Sequence, residues 1–157
     1  MKSTVKLLTF FAFAAILNLT NCKDKGPTPI APDTRTKSQL VTAAEWKWTV
    51  STCDVAVDTD GKDGASTDLL IQMLPCAIDD SYTFKSDSTT LEKTNVKCKT
   101  GEPLAWKGTW VFSNSEKNLQ WNVTDFNIIE LSGSKLVLKH AITTGANTYQ
   151  ITDTYTH

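Results

Sequence analysis

Leu104-Ala105-Trp106-Lys107-Gly108-Thr109-Trp110-Val111-Phe112 is the stretch that decides the fold. Every second residue from Leu104 to Phe112 is apolar or glycine, and Lys107 and Thr109 fall between them. Successive side chains of a β-strand point to opposite faces, so this stretch is predicted to be a strand with one buried and one solvent-facing side.

Seven further segments show a similar alternation between turns rich in Gly, Asn, Asp and Ser. They cover residues 46–51, 82–85, 89–97, 119–123, 128–131, 136–140 and 149–155. Eight strands joined by short turns predict an all-β fold, an eight-stranded up-and-down barrel. Closing the sheet into a barrel removes the edge strands that would otherwise pair with neighbouring molecules.

One short helix is predicted over residues 67–74, where apolar residues recur at helical spacing. Ser66 or Thr67 can cap its start, and Pro75 is expected to end it. We expect this helix to cap one mouth of the barrel.

The N-terminus has the pattern of an export signal that ends in a cysteine. A cationic start precedes an apolar run over residues 7–19, and Leu19-Thr20-Asn21-Cys22 closes the segment. These four residues resemble the lipobox of bacterial lipoproteins, although Asn21 stands where Gly, Ala or Ser is usual. The resemblance implies that residues 1–21 are a signal peptide and that Cys22 is lipidated.

Residues 22–39 are predicted to form a tether between the lipid and a folded domain at residues 40–157. Pro27, Pro29 and Pro32 lie in it among polar residues, so it has no apolar surface to bury. At about 3.1 Å per residue in polyproline geometry, the tether would span roughly 40–50 Å. The expected location is the outer membrane, on its periplasmic or its surface face.

The charge balance gives no reason to expect a nucleic-acid partner. The whole chain has 16 basic and 17 acidic side chains, and removal of Lys2 and Lys6 with the leader would leave a net charge near −3. A chain of this length fits one domain with a core of its own.

Three motifs resemble the lipocalin-like domains of Bacteroidota lipoproteins. They are Trp46-Lys47-Trp48, Leu74-Pro75-Cys76 before Asp79-Asp80-Ser81-Tyr82-Thr83-Phe84, and Lys107-Gly108-Thr109-Trp110-Val111-Phe112. The resemblance covers about residues 40–155 and implies a small up-and-down barrel. The family itself carries little assigned biochemistry.

Three cysteines remain if Cys22 is acylated, and exported proteins keep disulfides. Cys76 and Cys98 are each eleven residues from Asp87, so an antiparallel hairpin about that turn brings them face to face. Similar lipoproteins often carry a cysteine at both places. The predicted disulfide is Cys76–Cys98, and the alternative is Cys53 with either partner.

No metal or cofactor is expected. Acidic residues crowd one loop, but with Asp58 as position one of a calcium loop, Lys62 and Leu69 stand where oxygen ligands are needed. These acids are Asp54, Asp58, Asp60, Asp63 and Asp68. Two histidines do not make a zinc cluster at ligand spacing.

No catalytic motif is present either, and the protein is not expected to be an enzyme. Asp79-Asp80 is explained by a turn from helix to strand, because adjacent strand residues point to opposite faces. His140 falls on the Leu136 and Leu138 face, which favours a hydrogen-bonded core or rim residue over a ligand contact.

All five tryptophans fall on faces predicted to point inward. An eight-stranded barrel is either filled by such side chains or holds one small ligand, and the sequence leaves both outcomes open. The candidate interior residues are Trp46, Trp48, Tyr82, Phe84, Trp106, Trp110, Phe112, Trp121, Leu138, His140 and Tyr149.

The favoured hypothesis is a lipid-anchored protein that binds a small hydrophobic or amphipathic molecule. The alternative is a non-catalytic interaction module of an envelope protein complex.

Overall fold

A computed structural model describes residues 33–59, 61 and 64–157. The predicted signal peptide, Cys22 and most of the predicted tether therefore lie outside the described residues and stay predictions. Within the described residues, no helix is long and apolar enough to cross a membrane.

The described part of the chain contains nine strands, all paired antiparallel. They are β1 (Glu45–Val57), β2 (Ser66–Asp68), β3 (Ser81–Phe84), β4 (Thr89–Lys93), β5 (Ala105–Ser113), β6 (Asn118–Trp121), β7 (Thr124–Leu131), β8 (Lys135–Thr144) and β9 (Asn147–Thr156). Because β1 pairs with both β3 and β9, it closes a barrel of eight strands, and β2 adds to the last part of β1. The predicted eight-stranded up-and-down barrel is confirmed.

A short helix, α1 (Lys37–Val41), packs at one end of the barrel, which we call the α1 end. A capping box between Thr36 and Gln39 starts the helix. Val41 is fully buried, and its carbonyl oxygen accepts a hydrogen bond from Trp46 Nε1 at 2.8 Å. The helix crosses the boundary predicted at residue 40, so ordered structure begins within the segment predicted as tether.

The helix predicted over residues 67–74 does not form. This segment contains the end of β2 and a three-residue 3₁₀-helix (Leu70–Gln72), and a short helix, α2 (Pro75–Ile78), follows it. Pro75 begins α2 and does not end a preceding helix. Proline is favoured in the first turn of a helix, where its missing N–H has no partner to lose.

A β-bulge in β1 changes which residues face the interior. The register against β9 shifts between Trp48 and Val50, so Val50 is 44% exposed and Ser51 is 1% exposed. A bulge inserts one extra residue and reverses the alternation beyond it. Uninterrupted alternation over residues 46–51 would place Val50 on the inward face with Trp46 and Trp48, and the bulge places Ser51 there instead.

The turn between β6 and β7 is shorter and comes earlier than the predicted strands 119–123 and 128–131 imply. Trp121 pairs with Thr124, which leaves Val123 in the turn with 96% of its surface exposed. The part of β5 before Trp110 has no partner in the β6 ladder. As a result Trp106, which its pairing with Glu92 keeps on the inward face, is 52% exposed at the rim. Trp106 therefore keeps its predicted inward face but lies at the rim and outside the packed core.

The middle of the barrel and its α1 end are filled by apolar side chains. Phe84 lies at the centre of the aromatic contacts, with its ring edge-on to Trp110 (5.9 Å) and Trp121 (4.9 Å). The buried core comprises Val41, Trp46, Phe84, Trp110, Leu119, Phe126, Leu136, Leu138 and Tyr155. This part of the barrel is therefore a solid core.

Gly108 is required where the β6–β7 turn packs against β5. The Asn122 side chain accepts a hydrogen bond from the Thr109 N–H at 3.0 Å, and a Cβ on Gly108 would overlap this side chain and lie 2.6 Å from Thr90 Oγ1. We expect Gly108→Ala to lower the free energy of unfolding by about 1–3 kcal/mol, measured by urea denaturation. In an Asn122→Ala background the added cost should be smaller, because one overlapping side chain is gone; equal costs in both backgrounds would contradict this packing.

Candidate functional site

A cavity of about 380 Å³ opens at the end of the barrel opposite α1, which we call the open end. Its walls come from the last part of β1, the β8–β9 hairpin and the residue before the 3₁₀-helix. The lining residues are Cys53, Val57, Asp58, Thr59, Leu69, Ile142, Thr144, Tyr149 and Ile151. The lining is mostly apolar.

The bulge in β1 is what turns Cys53 toward this cavity. Cys53 is 5% exposed and is a free thiol, and it pairs with Ile151 across the β1–β9 ladder. Ile151 pairs in turn with His140 on β8. Residues directly opposite in antiparallel strands point to the same face, so these three side chains face the interior together.

Gln72 fixes the loop at the edge of the cavity. Its side-chain Nε2 donates to the Val57 carbonyl at 2.8 Å, and its Oε1 accepts from the N–H (2.6 Å) and the hydroxyl (2.7 Å) of Thr59. Gln72 is 7% exposed, so these bonds lie in a largely dry environment. A buried amide with three hydrogen bonds of this kind holds the end of β1 in place.

A buried polar cluster lies below the cavity, toward the α1 end. Its Ser51–Asp153 pair is two residues along the β1–β9 ladder from the Cys53–Ile151 pair that lines the cavity. Asp153 Oδ1 accepts hydrogen bonds from Ser51 Oγ at 2.6 Å and from Trp48 Nε1 at 3.1 Å, and its Oδ2 is 3.6 Å from His140 Nδ1. The His140 ring packs edge-on to Phe126 at 4.8 Å. The predicted position of His140 on the inward face is confirmed by the register.

Ser51, His140 and Asp153 are residue types that serve as a nucleophile, a base and an orienting acid in hydrolases. Here the Ser51 hydroxyl donates to the carboxylate and not to the imidazole. His140 Nδ1 has no hydrogen-bond partner. The cluster is therefore not arranged as a proton relay from the serine, and it acts as polar structure inside the barrel.

Burial raises the pKa of Asp153 above its ordinary 3.8, although the Ser51 hydrogen bond, the His140 charge and Trp48 act in the opposite direction. The folded protein therefore holds this proton more tightly than the unfolded chain does. The contribution of Asp153 to stability is then largest at low pH and falls as the pH rises from 3.8 through the raised pKa.

We expect the free energy of unfolding of Asp153→Asn to rise relative to that of the wild type as the pH rises through that interval. The amide keeps an acceptor for Ser51 and Trp48 and carries no buried charge. Urea denaturation at a series of pH values checks this. Asp153→Leu is the matched control: it removes the same titrating group and should change with pH in the same way, but it leaves both donors unpaired and should be about 1–3 kcal/mol less stable than Asp153→Asn at every pH. A difference between Asp153→Asn and the wild type that does not change with pH would contradict the assignment.

A second pair of acids faces the interior from the neighbouring wall. Asp80 directly precedes β3, and Glu92 pairs with Tyr82 on the inward face of β3 and β4. Burial raises the pKa of Glu92, and the contact and charge of Asp80 raise it further. The turn predicted at Asp79-Asp80 is present at the end of α2, but Asp80 lies beside an acid twelve residues away that no sequence motif links to it.

The structure divides the candidate interior residues into several groups. Four of them are buried in the core: Trp46, Phe84, Trp110 and Leu138. Another four pack against it while keeping some exposure: Trp48, Tyr82, Phe112 and Trp121. Tyr149 lines the cavity, His140 lies below it, and Trp106 is at the rim. Their part in ligand binding stays a prediction.

The predicted disulfide Cys76–Cys98 is present, and Cys53 stays free. Three described acids of this group accept backbone hydrogen bonds: Asp58 from the Gly61 N–H, Asp68 from the Leu70 N–H, and Asp54 from the Gln150 N–H on β9. Among the described residues no group of three or more His, Cys, Asp or Glu side chains is placed to hold a metal ion.

A larger groove, of about 630 Å³, lies at the α1 end between α1 and the β5–β6 hairpin. Its lining is rich in Ser, Thr and Asn side chains, and it is open to solvent. Ligand sites typically combine an apolar lining with few polar groups. The smaller cavity at the open end fits that description better.

The sequence pattern of the lipocalin-like domain matches residues 43–138, which is more than half of the chain. The chain belongs to the lipocalin-like domain family. No curated protein matches this lipocalin-like chain.

Two solved structures of bovine odorant-binding protein are similar to this lipocalin-like domain. A deswapped triple mutant has 13% identity and a TM-score of 0.44, covering 73% of this chain and 72% of that chain. A complex with a selenium-containing odorant has 12% identity and a TM-score of 0.46, covering 82% of this chain and 76% of that chain.

Several residues of the site were not found from the sequence. Asp153 occupies an inward position in the alternation of Tyr149, Ile151 and Tyr155, so a polar residue on an apolar face was the available signal. Glu92 and Gln72 carried no comparable signal. Their positions depend on partners that are distant in sequence or on a loop without periodicity.

Proposed function

We propose that this lipocalin-like protein binds a small hydrophobic or amphipathic molecule in the cavity at the open end. The observation that carries the proposal is the mostly apolar cavity of about 380 Å³ above a filled barrel. Ligand pockets commonly measure roughly 300–1,000 Å³, so the cavity suits a ligand at the small end of that scale. The packed aromatic core limits the depth of the cavity.

The test is a binding titration with a neutral fluorescent probe, N-phenylnaphthylamine, followed by displacement with dodecanol. Ile142 lines the cavity and is 42% exposed, so Ile142→Glu should weaken binding by about tenfold or more by placing a charge on an apolar wall. Ile129, which is 60% exposed and does not line the cavity, provides the matched control Ile129→Glu.

Saturable binding by the wild type and by Ile129→Glu, with loss in Ile142→Glu, supports the proposal. Absence of saturable binding by the wild type, or equal effects of the two substitutions, would reject it. Circular dichroism of each variant shows whether the barrel is intact.

The proposed setting is the cell envelope, with the protein held at the outer membrane through a lipid on Cys22. The support is the lipobox-like segment and the proline-containing segment after it. Expression with a labelled fatty acid should label the wild type and leave Cys22→Ala unlabelled. Equal labelling of both would reject lipidation at this residue.

An interaction module is the second candidate. The observation in its favour is a set of exposed apolar side chains in the segments beside the disulfide: Ile71, Leu74, Val96 and Leu104. Solvent-exposed apolar clusters often mark contact surfaces. A stoichiometric protein partner that is recovered from membranes with the wild type, and lost on charge substitution of Leu74 and Leu104, would favour this candidate.

A further inference from the structure

The interior of the barrel carries negative charge that the strands do not balance. By register, each lysine within the described strands lies on the outer face: Lys47, Lys93, Lys107, Lys135 and Lys139. Glu92 and Asp153 lie on the inner face, and Asp80 precedes β3 on the same side. His140 is the one basic side chain on the inner face of the described strands.

Asp80 has unused capacity to accept hydrogen bonds. Asp80 is only 9% exposed, and its Oδ1 atom is buried without a hydrogen-bond partner. Burial of an acceptor without a hydrogen bond costs free energy, because its hydrogen bonds to water are not replaced. A donor supplied from outside the chain would satisfy it.

Asp80 and Glu92 on one wall and Asp153 below the cavity all affect the same side chain, Tyr82. Burial raises the pKa of Tyr82 above its ordinary 10.0, and the charges of Glu92, Asp80 and Asp153 raise it further. All three carboxyl groups therefore lie within electrostatic reach of one tyrosine ring. The β3–β4 turn lines the groove at the α1 end, so Asp80 and Glu92, at the other ends of these two strands, lie toward the open end. Asp153 is two residues along β9 from Ile151, which lines the cavity.

An aromatic face accompanies the acids. Trp106 pairs directly with Glu92 across β4 and β5 and leaves 52% of its surface exposed at the rim. An ammonium group is attracted both to carboxylates and to the face of an indole ring. A metal ion needs several converging ligands instead, and the described residues provide no such group.

We infer that the ligand of the open-end cavity is a cationic amphiphile, whose ammonium group lies against Asp80, Glu92 and Trp106 while its apolar part occupies the cavity. This inference rests on the proposed function and specifies its ligand class. The protein would then reject fatty acids, because a carboxylate head would meet like charges in a region of low dielectric constant.

The experiment compares three ligands with one apolar chain and different heads: dodecylammonium, dodecanol and dodecanoate. Each displaces N-phenylnaphthylamine from the wild type below its micelle concentration. We expect dodecylammonium to bind about tenfold more tightly than dodecanol, and dodecanoate to bind most weakly. In the double variant Asp80→Asn, Glu92→Gln, the preference for the ammonium head should fall to about onefold while dodecanol binding is unchanged.

The control is Glu45→Gln, Glu130→Gln, which removes two acids that form ion pairs with Lys93 and Lys135 on the outer face. It changes the net charge equally and should keep the preference. If dodecanol binds and dodecylammonium binds no more tightly, the inference fails and the proposed function stands. If the control loses the preference or the interior variant keeps it, the inference fails, and if none of the three ligands binds, both fail.

Discussion

Replacing Trp46 with alanine should lower the free energy of unfolding by about 3–5 kcal/mol, the range found for deletion of a large buried aromatic side chain. Trp46 is completely buried, its Nε1 donates to the Val41 carbonyl at 2.8 Å, and its ring packs edge-on to His157 at 4.8 Å. The substitution therefore leaves a cavity and also releases α1 from the barrel. Urea denaturation followed by circular dichroism measures the loss.

Trp106→Ala is the matched control, because it makes the same chemical change at a tryptophan that is 52% exposed. We expect it to cost less than about 1 kcal/mol, as surface substitutions usually do. Equal losses at the two positions would contradict the division of the barrel into a filled core and an open rim.

Replacing both Cys76 and Cys98 with serine should lower the free energy of unfolding by about 3 kcal/mol. The two cysteines are 22 residues apart, and a cross-link around a loop of this size removes chain entropy from the unfolded state. The loop contains β3 and β4, so its release loosens the wall that carries Asp80 and Glu92. Urea denaturation of the oxidised wild type and of the double variant measures the difference.

Cys53→Ser is the control for this experiment. Cys53 is buried and unbonded to another cysteine, so its replacement removes no cross-link and should cost about 1 kcal/mol. Reducing agent should destabilise the wild type and Cys53→Ser equally. A Cys53→Ser protein as unstable as the double variant would mean that Cys53 takes part in the cross-link.

The barrel and its disulfide were predictable because both follow from local patterns. Alternation identifies strands, short turns connect neighbours, and the turn at Asp87 sets the distance from each cysteine to the hairpin centre. Exposure was less predictable, because it depends on a neighbouring strand. Trp106 keeps its predicted face, yet β6 ends at Trp121 and leaves it uncovered.

Local breaks in the pattern account for the other differences. The bulge after Trp48 places Ser51 and Cys53 inside, and nothing in the composition of β1 marks its position. At residues 67–74 the apolar spacing also suits a short strand followed by one 3₁₀ turn. Pro75 suits either the end of one helix or the start of another, and only the packed structure decides between them.

The candidate site was the least predictable part. Asp80 and Glu92 come together because β3 and β4 are paired, and their meeting depends on the exact register of that hairpin. Asp153 reaches Ser51 and Trp48 across the β1–β9 ladder. Such contacts require the closed barrel, whereas the aromatic stripe could be read from single strands.

The pairing of β1 with β9 determines when the molecule can finish folding. Trp48 and Asp153 are bonded to each other although 105 positions separate them along the chain. Among the described strands, β1 is therefore synthesised long before its partner β9, and a nascent chain that stops before Asn147 leaves the β9-pairing edges of β1 and β8 unpaired. Contacts of such long sequence separation slow folding, so completion of the barrel is a late step of folding.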